Sequence, residues 1–249
     1  MTRGNQHRGK RPANGPLQFL HSPAYPKWLL GFYWLQWLAW AIHPRFFQDW
    51  LLENILPFLF LVILIATFRS FRLSNASYTL IVFMLCLHTV GSHYTYSLVP
   101  YDAGVQKLTG VTLSEVLGLD RNHYDRFVHF AFGLLIAYPV REVFLRIAGV
   151  KGFWGYFLPI NLTMSLSMIY EIIEWAVALV FGGELGQAYL GTQGDEWDAH
   201  RDMTLATIGA VISMAIVSFI NWKSDRRFGR EWRQSLSVKD AKPLGEVKV

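Results

Sequence analysis

The stretch MTLATIGAVISMAIVSFINW, Met203 to Trp222, contains no charged residue and is bounded by Arg201-Asp202 on one side and Lys223 on the other. A helix needs roughly 20 mostly apolar residues to cross about 30 Å of hydrocarbon, and this run meets that length. The same test applied outward along the chain finds five more runs: Trp28 to Ile42, Trp50 to Phe68, Ser77 to His93, Tyr124 to Val140 and Leu158 to Phe181. The first is the shortest, and Trp28, Trp34, Trp37 and Trp40 are amphipathic rings that favour headgroup level. The reading is therefore an all-α, polytopic membrane helix bundle of about six transmembrane helices.

Composition agrees. The 249 residues are 52% hydrophobic and 16% charged, against about 25% charged in an ordinary soluble domain, which excludes a disordered tail. Cys86 is the single cysteine, so no intramolecular disulfide forms and it reads as a small buried hydrophobe. No small-residue cleavage site follows the first apolar run, so that helix is expected to be retained.

A net charge of +5 would suggest nucleic acid in a soluble chain, but here the basic residues are sorted by position. With a cytoplasmic N-terminus, the inner segments hold Arg3, Arg8, Lys10, Arg11, Lys27, Arg69, Arg72, Arg141, Arg146, Lys151 and every basic residue after Trp222, 18 of the 23. Only Arg45, Lys107, Arg121, Arg126 and Arg201 fall outside. That is the positive-inside bias for six helices with both termini cytoplasmic. The domains read as a basic cytoplasmic segment (1–27), a membrane domain (28–222) and a basic cytoplasmic tail (223–249) that holds to anionic lipid headgroups. Membrane lipids are the expected partners, and nucleic acid is not expected.

Ionisable residues inside a span are costly and usually functional. Here they share the outer side: His43, His88, His93, His123, His129 and His200, with Glu53, Asp125, Asp195, Asp198 and Asp202 beside them. Glu171 and Glu174 lie about two to three turns below the outer end of the fifth helix. Asp125 and His129 are four residues apart and Glu171 and Glu174 three, so each pair shares a helix face. The expectation is a cluster open to the outer face, built by the fourth, fifth and sixth helices. Structural readings compete: ion-pair glue with Arg126 or Arg201 for the two glutamates, and N-capping for at least one of the four aspartates.

The segments HYDRFVHFAFGLL (123–135), YEIIEW (170–175) and GTQGDEWDAHRDMTLATIGA (191–210) resemble those of the YjdF-like family of bacterial inner-membrane proteins. The resemblance implies a bacterial inner (plasma) membrane location and the same six-helix layout. A more distant similarity is to VanZ-like membrane proteins, whose pattern is Asp-Lys-x-x-His, then Glu-x-x-Gln, then Arg and Asp ahead of Asn and Gly. Here Arg126 replaces the lysine, Glu174 the glutamine and Ala206 the asparagine. VanZ-like proteins are associated with glycopeptide-antibiotic tolerance, which implies the cell envelope, but neither family brings a reaction with it.

Three functions fit the cluster. The first is a hydrolase or transferase for an envelope or lipid-derived small molecule, with Glu171, Glu174, His129 and Asp125 catalytic. A divalent cation on Asp195, Asp198, Asp202, His129 and Glu174 would complete it, with His88, Arg126 and Arg201 in support. Oxygen ligands with an imidazole suit Mg²⁺, Mn²⁺ or Zn²⁺. No HExxH, GxSxG or GxxxxGK[ST] motif is present. The second is a proton- or cation-coupled transporter, for which the inner half offers little beyond Asn161, Thr163, Ser165 and Ser167 with Ser213 and Ser218. The third is a non-catalytic envelope or lipid-binding protein. For the topology, a fluorescent reporter fused after Val249 is expected to fold on the cytoplasmic side, and a fusion active only outside the cytoplasm overturns the orientation.

Overall fold

The apolar runs fold as helices. The computed structural model describes residues 22–239, and no strand occurs among the described residues. In chain order the helices are α1 (Tyr25–Trp40), α2 (Phe47–Glu53), α3 (Ile55–Thr67), α4 (Asn75–Tyr94), α5 (Tyr101–Thr109), α6 (Leu113–Leu117), α7 (Tyr124–Arg146), α8 (Trp154–Phe181), α9 (Gly183–Leu190), α10 (Asp198–Ser224) and α11 (Phe228–Ser235). The basic residues Arg3, Arg8, Lys10 and Arg11, and the tail beyond Lys239, lie outside the described residues.

Among the described residues, five helical stretches are long and apolar enough to cross a membrane: Phe47–Thr67, which joins α2 to α3, and α4, α7, α8 and α10. The first of the six expected runs is shorter than a span. α1 has 16 residues, about 24 Å at 1.5 Å per residue. It ends where His43 enters the left-handed region at φ 53° just before Pro44. Even so, α1 runs beside α4 from end to end. Tyr25 Oη meets Thr79 Oγ1 at 2.9 Å, Gln36 donates to Thr89 Oγ1 at 3.2 Å, and His93 Nδ1 donates to the Trp40 carbonyl at 2.7 Å. Outward faces carry exposed apolar side chains, among them Trp28 and Leu35 on α1, Ile63 on α3, Trp175 and Val180 on α8 and Ile216 on α10. So much apolar surface is what hydrocarbon, not water, accommodates.

The two ends of the bundle differ in chemistry. At one end Glu142 of α7 accepts from the Ser74 backbone N–H at 2.9 Å, from Ser77 Oγ at 2.6 Å and from Arg146 at 2.6 Å, tying α7 to the start of α4. Arg72, Arg141 and Arg146 stack there on Phe68, Tyr156 and Phe71. The carboxylates and imidazoles gather at the other end. Between α2 and α3 the helix breaks at Asn54 because Pro57 has no N–H for the Glu53 carbonyl and its ring crowds that oxygen. The freed oxygen accepts instead from His88 Nε2 of α4 at 3.1 Å, and the Tyr96 hydroxyl donates to His88 Nδ1.

α7 and α10 pack closest of all. A Cβ at Gly133 would run into the Ala206 carbonyl, and one at Gly209 into the Phe130 carbonyl and the Leu134 nitrogen. Ala137, Ala206 and Ala210 are fully buried beside them. Small residues let two backbones touch inside a membrane. Gly133→Val or Gly209→Val is expected to destabilise the bundle by about 3 kcal/mol or more. Gly31→Ala, at a position with open space around it, should leave thermal unfolding in detergent unchanged or raise it slightly.

Candidate functional site

The α7–α10 crossing sets the first turns of the two helices side by side. Asp125 and His129 project from one face of α7, and Asp202 meets them from α10, with one ligating atom of each residue within 4.8 Å of the others. His129 Nε2 lies 3.7 Å from Asp125 Oδ1 and 3.4 Å from Glu171 Oε1 on α8. These separations exceed a direct hydrogen bond. They lie close to the spacing of two donors that share a metal, about 3 to 3.5 Å when each is about 2.1 Å from the ion. Asp202 is 2% exposed, and its Oδ1, like Glu171 Oε1, has no hydrogen-bond partner. Glu174 is buried on the same face of α8, one turn further along the helix than Glu171.

A second group of acids continues the site toward α2. Asp49 and Glu53 are buried, the Tyr170 hydroxyl donates to Glu53 Oε2 at 3.0 Å, and neither oxygen of Asp49 has a partner. Tyr189 of α9 is buried over this group, and burial, reinforced by the Glu53 and Glu174 carboxylates, pushes its hydroxyl above the ordinary phenol range. Burial and the nearby Glu53 and Asp125 carboxylates push the Tyr96 hydroxyl up as well. It therefore remains a donor to His88.

Above the triplet lies a layer of ion pairs. Arg121 Nη1 is 2.9 Å from Asp198 Oδ1 and also donates to the Thr192 carbonyl at 2.7 Å. Arg126 binds both Asp195 and Asp198, and Arg201 binds Asp195. Burial works against ionisation of Asp195, yet the Trp197 N–H and Arg201, Arg126 and Arg121 hold its carboxyl below the ordinary range. Ion pairs thus hold the 191–198 loop beside Asp125, whose Oδ2 lies near Gly191, as a lid at that end of the site, with the Asp125 side chain still 14% exposed. The lid arises from the bidding of two arginines on one side of the loop for two aspartates on the other.

The residues singled out in the sequence fall into distinct places. Asp125, His129, Glu171, Glu174 and Asp202 come together. Asp195 and Asp198, expected as ligands, are held by the arginines of the lid, where Arg126 and Arg201 also sit. His88 stands below, bridging the break at Glu53. The helix starts before α7 and α10 are His123 and Trp197, and neither side chain caps. Of the four aspartates, Asp195 alone takes a nearby backbone N–H, that of Trp197 at 3.1 Å. Arg121, Asp49 and Tyr170 were not anticipated as site residues. The four-residue spacing of Asp49 and Glu53 was the available signal for one of them.

Beside the triplet a cavity of about 330 Å³ lies between α3, α4, α7 and α8, with Asp125, His129, Tyr96 and Tyr170 at its polar end.

Apolar helices turned outward, with carboxylates and imidazoles turned inward at one end, define a multi-pass helical membrane protein with an ionisable site inside the bundle. The chain belongs to the family described as predicted membrane protein (DUF2238), whose profile matches residues 25–223. It is similar to inner membrane protein YjdF of Escherichia coli (strain K12), with 37% identity over 181 residues that cover 72% of this chain and 82% of that one. No solved structure matches. The YjdF-like resemblance is thereby established and the inner membrane is the location, while the VanZ-like similarity rests on motif spacing alone.

The lid carries a pH signature of definite sign. Because the Asp195 carboxyl is held below its usual 3.8 in the folded state, its contribution is complete above that pH and is lost as the pH falls through the lowered folded value. The thermal-stability gap between wild type and Asp195→Asn should accordingly be constant from pH 5 to 7 and close below about pH 4.

Proposed function

We propose that this protein is a metal-assisted hydrolase or transferase acting on an ester of envelope or lipid origin at the acidic end of its membrane bundle. The observation that carries the reading is the Asp125, His129 and Asp202 triplet, with its ligating atoms mutually within 4.8 Å and Asp202 Oδ1 buried without a partner. Two carboxylates and one imidazole suit Zn²⁺ or Mn²⁺, and three protein ligands leave coordination positions for substrate.

The cation would supply Lewis acidity to an ester oxygen. Glu171, beside His129 and with one free oxygen, is placed to take a proton from the attacking water. The water oxygen bonds to the phosphorus or carbonyl carbon, the bond to the leaving alkoxide breaks, and Glu171 returns its proton to that alkoxide. Glu174, buried on the same face of α8 one turn away, would orient it. For a transferase an acceptor hydroxyl replaces water with the same proton balance. A conducting path fits less well. The inner-half hydroxyls of Thr163 and Ser165 bond to carbonyls of their own helix at 2.8 and 2.9 Å.

Elemental analysis of purified full-length protein tests the reading. After exposure to Zn²⁺ or Mn²⁺, wild type should retain about one ion per chain, and Asp202→Asn and His129→Gln should lose it while staying folded. Glu171→Gln should keep the ion but hydrolyse para-nitrophenyl phosphate or acetate at least about 100-fold more slowly. A folded wild type that retains no metal overturns the proposal, as does an Asp202→Asn variant that binds as before.

A further inference from the structure

The cavity beside the triplet has walls unlike its end. Its sides are apolar, including Leu85, Val128, Phe132 and Ile136, and Phe60, Leu166 and Ile169 also line it. Those last three are 38%, 38% and 47% exposed on the outward surface of the bundle, where Leu59, Ile63 and Ile172 also face out. A mouth therefore lies sideways, between α3 and α8, among outward-facing apolar side chains.

At the polar end, several groups are already engaged. His88 is held by the Glu53 carbonyl and Tyr96, and Tyr170 by Glu53. Asp125 and His129, the two triplet members that line the cavity, remain to meet a ligand. About 330 Å³ lies at the small end of ligand pockets, and with walls that are apolar on every side but one it suits a single alkyl chain.

The arginine layer above the triplet indicates the head. Arg121 and Arg126, paired to Asp195 and Asp198 through their terminal nitrogens, each keep a buried Nε–H without a partner among the described residues, a donor that an anionic head can use. A phosphate could bridge the cation and the arginine layer. A cationic head could not use those donors.

We propose that the lateral cavity holds the hydrocarbon chain of a single-chain phosphate lipid, which reaches the site from the bilayer between α3 and α8 and presents its phosphate to Asp125, His129 and Asp202. This rests on the metal-site reading above and names its substrate class. The bilayer then delivers the substrate.

A dodecyl phosphate carrying a diazirine near the chain end, photolysed with the full-length protein in phosphatidylcholine nanodiscs, tests it. Labelling should map to the cavity walls at Phe132 and Ile136, and the dodecanol and dodecyl-trimethylammonium analogues should label at least about tenfold less there. Removing the metal should abolish that preference. Leu166→Trp, at an exposed position on the mouth, should cut cavity labelling about tenfold with metal content unchanged. Ile169→Trp serves as the independent second variant if the first fails to fold. Equal labelling by all three heads, labelling confined to the outer surface near Leu59 and Ile172, or preference for the ammonium head overturns the proposal. Failure of the metal reading appears separately, as a wild type without bound metal in the elemental analysis.

Discussion

Everything at the acidic end depends on how closely α7 approaches α10. Gly133 and Gly209 stand where a Cβ would enter the backbone of the opposite helix, and Ala137, Ala206 and Ala210 are fully buried around them. The contact lies one to two turns below Asp125, His129 and Asp202, so it fixes their separation as a hinge pin fixes two plates. Any residue that widened the crossing would spread the triplet before it touched a single ionisable group. Membrane helices have little hydrophobic drive to associate, and close backbone packing takes its place. The site is thus positioned by residues without functional groups of their own.

That arrangement carries a cost. Asp49, Glu53, Glu174, Asp198 and Asp202 are all buried, and a buried carboxylate without compensation destabilises its surroundings by several kcal/mol. Asp198 is compensated by Arg121 and Arg126. Asp49 and Asp202 keep oxygens that nothing in the described protein satisfies. A purely structural network would place its arginines among these acids, whereas the structure places them one layer above. Neutralisation of the lower layer therefore has to come from protons or a cation.

Much of this was legible in the sequence because helical period and membrane cost both act locally. Asp125 with His129, and Glu171 with Glu174, are fixed as pairs by spacing, and lipid forbids them the outer face. Apolar length found the spans and marked the first as the shortest, and α1, 16 residues long, ends before the turn at His43 and Pro44. What could not be read depends on contacts distant in the chain. Arg121 meets Asp198 77 residues away and Tyr170 meets Glu53 117 residues away, and no periodicity reports such partners. The lid escaped notice for the same reason. Its aspartates look like ligands until the arginines that claim them are known.

The lid also changes what kind of molecule the site can serve. An open acidic cluster on the outer face would favour a soluble envelope fragment and would leave the cavity between α3, α4, α7 and α8 without a role. Arg121 and Arg126 fasten the 191–198 loop through ion pairs in a region of reduced dielectric, where they are stronger than at a free surface. Lateral approach breaks none of them. Phe60, Leu166 and Ile169 already face hydrocarbon at the mouth, so an alkyl chain passes from one apolar medium into another with little change in solvation. On the lateral-access proposal, the membrane itself is the easier route to the triplet.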